Sequence, residues 1–242
     1  MESNHKPYDI DESVARLDEI LSGADTNYEE VNTIPGRDKL TFLNGYYVNC
    51  SCVYIDIRKS SSLTDKYKRP ALAKLYRAYI SETVAILNSS DKCAEINIHG
   101  DGVWGVYDSP LKADIDEAFS IAFRLSSVID ILNCRSKKKG YDPISVGIGA
   151  TYGRALMIKA GYKGSGLNDV VWMGEVVNHA SELSHYGNAT YNDKEIMVSN
   201  VFYNNLNEKN QSLLASNFNR GCYHGNVINI SMNDWVTQNC SS

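Results

Sequence analysis

The stretch CVYIDIRKSSSLTD (52–65) sets one acid into an otherwise apolar run. Cys52 to Ile55 read as a buried strand, Ile57 continues it past Asp56, and the run then breaks into Arg58, Lys59 and three serines. A carboxylate at the end of a core strand is costly unless something pairs with it. The simplest reading is local: an aspartate that accepts N–H bonds of the turn or caps the next helix.

Outward from this strand, placed at 47–57, strands and helices alternate. A helix is expected over 70–88, with Pro70 suited to its first turn. Short strands at 94–99 and 103–107 flank HGDG, a hairpin signal. A helix at 111–133 precedes strands at 144–150 and 154–159, expected as a hairpin around TYG, and a helix over 175–186. The tail reads as strand, helix and hairpin up to Trp235. The order strand–helix–strand–strand–helix–strand is that of a ferredoxin-like α+β fold, βαββαβ. Upstream, residues 11–22 place Val14, Leu17, Ile20 and Leu21 at helical spacing before Gly23, and a polar stretch with Pro35-Gly36 follows as a linker. The chain therefore divides into an N-terminal helix and linker (1–44) and a main domain (45–242). The apolar stripe of that helix packs either on its own domain or on a second copy.

Composition narrows the function classes. With 242 residues, 43% apolar and 22% charged, the chain is ordinary for a globular protein. A net charge of −5 offers no basic footprint for nucleic acid. No apolar run reaches membrane-spanning length, and the start MESNHKPYDIDES is polar and acidic, unlike a signal peptide. Six cysteines at 50, 52, 93, 134, 222 and 240 show neither CxxC pairs nor zinc spacing. The expectation is a cytoplasmic protein with free thiols and no membrane contact.

A second acid bears on the first. Asp101 lies at the tip of AEINIHGDGVWGVYD (94–108), between two glycines. In a ferredoxin-like sheet this hairpin neighbours the first strand, so Asp56 and Asp101 are expected at one sheet end. Two close carboxylates repel unless a cation sits between them. A pair of Mg²⁺ or Mn²⁺ ions, held by two acids and substrate phosphates, suits such a site. Gly-Asp-Gly is also a common turn, so spacing alone leaves both readings open.

Four segments together resemble the class III nucleotidyl cyclases. YIDIRKSS is similar to their first metal motif, Phe-x-Asp-Ile-x-Gly-Phe-Thr, and INIHGDGVWGVY to the second, Lys-x-x-Gly-Asp-x-Phe. VGIGATYGRALMIKAG (146–161) resembles the Gly-Ile-x-x-Gly hairpin, and NDVVWMGEVVNHASEL (168–183) the Asp-Tyr-x-x-x-Gly-x-x-Val-Asn-x-Ala-x-Arg helix entry. The four run in family order over residues 46–235. The resemblance implies formation of a 3′,5′-cyclic nucleotide and pyrophosphate from a nucleoside triphosphate. It implies two metals bridged by Asp56 and Asp101 with the Ile57 carbonyl, and a ribose-orienting Asn178. Arg58, Lys59 and Ser60 would meet the phosphates, and His224 stands where the family often has a phosphate-binding lysine. It further implies a homodimer with sites shared between chains. One departure stands out: the transition-state arginine is Glu182 here. Arg58, Lys59, Arg154 and Lys163 are candidate replacements, and a non-catalytic nucleotide-binding protein stays open as an alternative.

By the same resemblance Tyr54, Asn97 and Val171 line the base pocket. They match neither the adenine nor the guanine pattern, and Tyr54 replaces phenylalanine. This resembles the bacterial pyrimidine cyclases of Pycsar antiphage defence, whose cyclic UMP or cyclic CMP acts on a separate effector protein. UTP or CTP is then the expected substrate, with adenylate cyclase as the alternative.

Overall fold

The computed structural model describes residues 2–240. Helix α1 (Ile10–Leu21) starts at Asp9, whose carboxylate accepts the Glu12 N–H at 2.9 Å. Its apolar stripe stays exposed, and none of its residues is buried. The stretch expected as linker contains a strand, β1 (Tyr28–Val31), paired parallel to the start of β2 (Gly45–Ile57). Ordinary local patterning gives YEEV no strand signal; the edge of β2 supplies the partner.

The βαββαβ core follows. After β2 come α2 (Ser60–Lys66), α3 (Arg69–Leu87), β3 (Cys93–His99), β4 (Gly102–Asp108), α4 (Lys112–Lys137) and β5 (Val146–Tyr162). The spatial order β3-β4-β2-β5 is that of a ferredoxin-like sheet, and its neighbouring strands are antiparallel. The turn expected at TYG is absent: Thr151, Tyr152 and Gly153 lie within β5, opposite Cys52, Ser51 and Cys50. Beyond β2 the same strand pairs with β6 (Leu167–Met173), so one long element does the work of the two expected strands. Helix α5 (Glu175–Tyr186) follows where 175–186 is expected. The tail adds β7 (Ile196–Val198), α6 (Asn200–Asn205), α7 (Glu208–Gln211), β8 (Ala215–Asn217), β9 (Cys222–Gly225) and α8 (Ile230–Cys240). Strands β7, β9 and β8 extend the sheet beyond β5.

Strand alternation explains the two layers. Val53, Ile55 and Ile57 face the main core with Leu75, Tyr79, Phe119 and Leu125 of α3 and α4. Cys50 and Cys52 face a second cluster with Trp104, Met157, Val176 and Ala180, and Tyr54 packs against it. Both sheet faces are covered, which is why β2 reads as a continuous apolar run rather than an alternating one.

One sequence expectation is corrected here. Cys134 of α4 and Cys240 of α8 form a disulfide across 106 residues, while Cys50, Cys52, Cys93 and Cys222 are free. Helix α8 folds back along α4, and such tertiary approach leaves no trace in cysteine spacing. No helix of the described residues is long and apolar enough to cross a membrane.

Candidate active site

Strand β2 outruns its pairing with β4, which ends at Ile55–Val103, so Asp56 and Ile57 project past the hairpin while still paired to Gly147 and Val146 of β5. The β3–β4 turn brings Asp101 to this same end, helped by Gly100 at φ 65°. The Tyr79 hydroxyl, fully buried on α3, donates to the Asp101 carbonyl at 2.9 Å. Burial pushes the Tyr79 phenol up, so it remains a donor.

The two acids lie close together at this sheet end. The Asp56 carboxyl is held above its ordinary value, first by burial and next by the charge of Asp101, which also lies within hydrogen-bonding reach. Arg58 and His185 pull the other way. Arg58 Nη2 donates to Asp56 Oδ2 at 3.2 Å, and its Nη1 donates to the His185 carbonyl of α5 at 2.6 Å. His185 Nε2 stands 4.0 Å from the same carboxylate oxygen. Two conflicting oxygen donors suit a hard divalent ion of the Mg²⁺ or Mn²⁺ kind. Among the described residues no set of three or more His, Cys, Asp or Glu side chains converges.

A second feature lies one row inward. Register places Asn97 opposite Trp104, Trp104 opposite Tyr54, and Tyr54 opposite Gly149, all on one sheet face. The Asn97 Nδ2 is buried and has no hydrogen-bond partner. Tyr54 is half-buried, with Ser181 of α5 near its hydroxyl, and burial raises its phenol pKa. A Cβ on Gly102 would collide with the Tyr54 hydroxyl, so the glycine makes room for that ring. Helix α5 sits directly on the sheet here: a Cβ on Gly149 would meet the Ala180 carbonyl, and one on Gly147 the Ser184 carbonyl.

The other expected residues are more dispersed. Asn178 is exposed on α5. Val171, 39% exposed, lies opposite Ile158, nine positions along β5 from Gly149 or about 30 Å of strand, so one chain does not bring it into the Asn97 row. His224, on β9, is separated from β2 by β5 and β7. Its Nδ1 lies 3.3 Å from the Lys194 N–H and 3.1 Å from the Asn217 amide, and burial lowers its pKa. Ser60 lies near Tyr76, and Ser62 Oγ donates to the Lys59 carbonyl at 2.7 Å. Glu182 is exposed and accepts from the Tyr186 hydroxyl at 2.5 Å. Of the residues sequence reasoning missed, Tyr79 hides in the apolar stripe of α3, and Ser181 and His185 give no signal without α5 laid on the sheet.

Comparison with known proteins places the chain in a family. A uridylate cyclase of Gulbenkiania mobilis is 39% identical over 263 aligned positions, covering 99% of this chain and 100% of its own. A second, from Treponema porcinum, is 35% identical and covers 96% of this chain and 82% of its own. The chain belongs to the uridylate cyclase family. No protein-family model matches it. Among solved structures, the adenylyl cyclase CyaB of P. aeruginosa superposes at a TM-score of 0.60, with 21% identity over 72% of this chain and 85% of that one. A class III adenylyl cyclase-like ATP-binding protein of Pseudomonas aeruginosa reaches 0.70, with 18% identity over 93% of this chain and 49% of that one. The expected class III cyclase fold is therefore the one observed.

Proposed function

We propose that the chain converts UTP, with CTP as the closest competitor, into the 3′,5′-cyclic monophosphate and pyrophosphate. The observation that carries this reading is the meeting of Asp56 and Asp101 beside a base-sized row holding an unpaired buried amide. The names of the two curated relatives favour UTP.

In the reaction the ribose 3′-oxygen bonds to the α-phosphorus, and the bond from that phosphorus to the bridging oxygen breaks. Pyrophosphate leaves with the electron pair, and the hydroxyl proton passes to water. Asp56, Asp101 and the Ile57 carbonyl would hold Mg²⁺ or Mn²⁺, two ions by family resemblance. Such ions lower the hydroxyl pKa and shield the triphosphate. Arg58 keeps Asp56 charged and oriented. Asn97 reads the base: its oxygen accepts from uracil N3–H and its orphan NH₂ donates to O4. Tyr54 closes the pocket against purines, and leaving polar edges unpaired adds to the discrimination. Asn178, exposed and without a role in its own chain, would orient the ribose in the site of a second copy, giving a twofold dimer with two sites. Val171 and His224 would join the base and phosphates across that interface. Cytoplasmic residence, and a product that acts on a separate effector in antiphage defence, complete the reading.

The test is incubation of purified protein with each of the four ribonucleoside triphosphates and Mn²⁺, with products resolved chromatographically. Cyclic UMP should dominate. Chiefly cyclic AMP would overturn the pyrimidine assignment, and no cyclic product from any triphosphate would overturn the enzyme.

A further inference from the structure

Lys59 adopts φ 53°, ψ 39°, the left-handed conformation. That region suits glycine, and among side chains it is tolerated chiefly by asparagine and aspartate. The other non-glycine residue with positive φ, among those described, is an asparagine, Asn188. The motif resembled by this stretch carries glycine at the position of Lys59. A lysine here retains the glycine backbone at a steric cost, and strain of this kind concentrates at functional sites.

Other polar groups of the turn are engaged. Arg58 holds Asp56 and the His185 carbonyl, and Ser62 donates to the Lys59 carbonyl. Two other cations named as candidate replacements for the missing arginine are occupied. Arg154 pairs with Glu30 and lies over the Tyr47 ring, and Lys163 pairs with Glu19 of α1. The Lys59 side chain is exposed and, among the described residues, makes no hydrogen bond or ion pair. It stands three positions after Asp56, and among the described residues no carboxylate pairs with it.

We infer that Lys59 is the cation that replaces the missing arginine: its ammonium contacts the triphosphate and offsets the charge that gathers on the departing pyrophosphate. This rests on the cyclase reading. Lys59 transfers no proton; it acts by charge at a site that develops charge, where a single such group is worth orders of magnitude in rate.

The strain makes the test clean, because the informative variants relax the backbone. Lys59→Gly and Lys59→Asn should unfold at the wild-type temperature or up to about 4 °C above it. Both should lose at least tenfold in kcat with UTP and Mn²⁺, and bind α,β-methylene-UTP more weakly. Lys59→Arg should stay within tenfold of wild type. A Lys59→Gly enzyme that folds normally and keeps wild-type kcat would overturn the inference while leaving the cyclase reading intact. Wild-type protein inert towards all four triphosphates would overturn the cyclase reading itself and this inference with it.

Discussion

Truncating the two paired acids should have opposite effects on stability, although each abolishes cyclisation. Asp56 and Arg58 are each only 16% exposed, and Arg58 Nε is already buried without a partner. Asp56→Ala removes the acceptor of Arg58 Nη2 and leaves a largely enclosed guanidinium with only the His185 carbonyl. Breaking a buried pair from one side costs about 3–5 kcal/mol. Part of that is returned, because Asp56 itself sits above its ordinary carboxyl pKa, through burial and then Asp101, and so resists ionisation in the fold. A net loss of about 2 kcal/mol follows, or roughly 4–8 °C in Tm for a chain of this size. Asp101→Ala removes only the like charge; the Tyr79 bond is to its backbone carbonyl and survives. Its Tm should match or slightly exceed wild type. The assay is thermal unfolding by circular dichroism at pH 7 in EDTA, beside cyclisation measured with Mn²⁺. Equal destabilisation by the two substitutions would refute the asymmetric role given to Arg58, and near-wild-type turnover in either would refute the metal site.

Mixing inactive Asp56→Ala with inactive Asn178→Ala should restore part of the activity, because one site of the heterodimer combines both lesions and the other is whole; no recovery despite proven subunit exchange would place each site within one chain. Asn97→Asp keeps the shape but removes the buried donor, and should raise KM for UTP at least tenfold; an unchanged KM would remove Asn97 from base reading. Arg220 Nη2 lies 2.9 Å from Asp193 and, as the main cause, lowers that carboxyl to about 2. The depressed pKa means that up to about 2 kcal/mol of stability is present above pH 4 and lost as the pH falls towards 2. The Tm gap between wild type and Arg220→Gln should therefore shrink over that range, and a gap independent of pH would exclude the mechanism.

Sequence reading was most informative where a residue departs from its local pattern. Asp56 stands out because it is polar in an apolar run, and Asp101 because two glycines frame it. It failed where partners come from far along the chain. TYG carries turn residues, yet Thr151 donates to the Val176 carbonyl at 2.6 Å and Gly153 pairs with Cys50, so tertiary pairing overrides the local signal. Residues 28–31 are a strand only because β2 offers an edge, and Cys134 meets Cys240 only because α8 returns along α4. Tyr54 and Asn97 could be nominated by motif position; that they share a row through Trp104 is a matter of register.

The contact of α5 with Gly147 and Gly149 has a consequence for how this chain can evolve. On the proposed reading, substitutions along the Asn97–Tyr54 row would alter which base is preferred and leave the architecture alone, so that row would be free to drift under selection. The two glycines have no such latitude: any side chain there pushes the helix off the sheet, carrying Ser181, which lies near Tyr54, and the exposed Asn178 with it. Laboratory evolution towards a new nucleotide should therefore accumulate changes on β2 and β3 while positions 147 and 149 stay silent. A library that randomises all four sites would reveal this as a near-total purge of β5 variants among active clones.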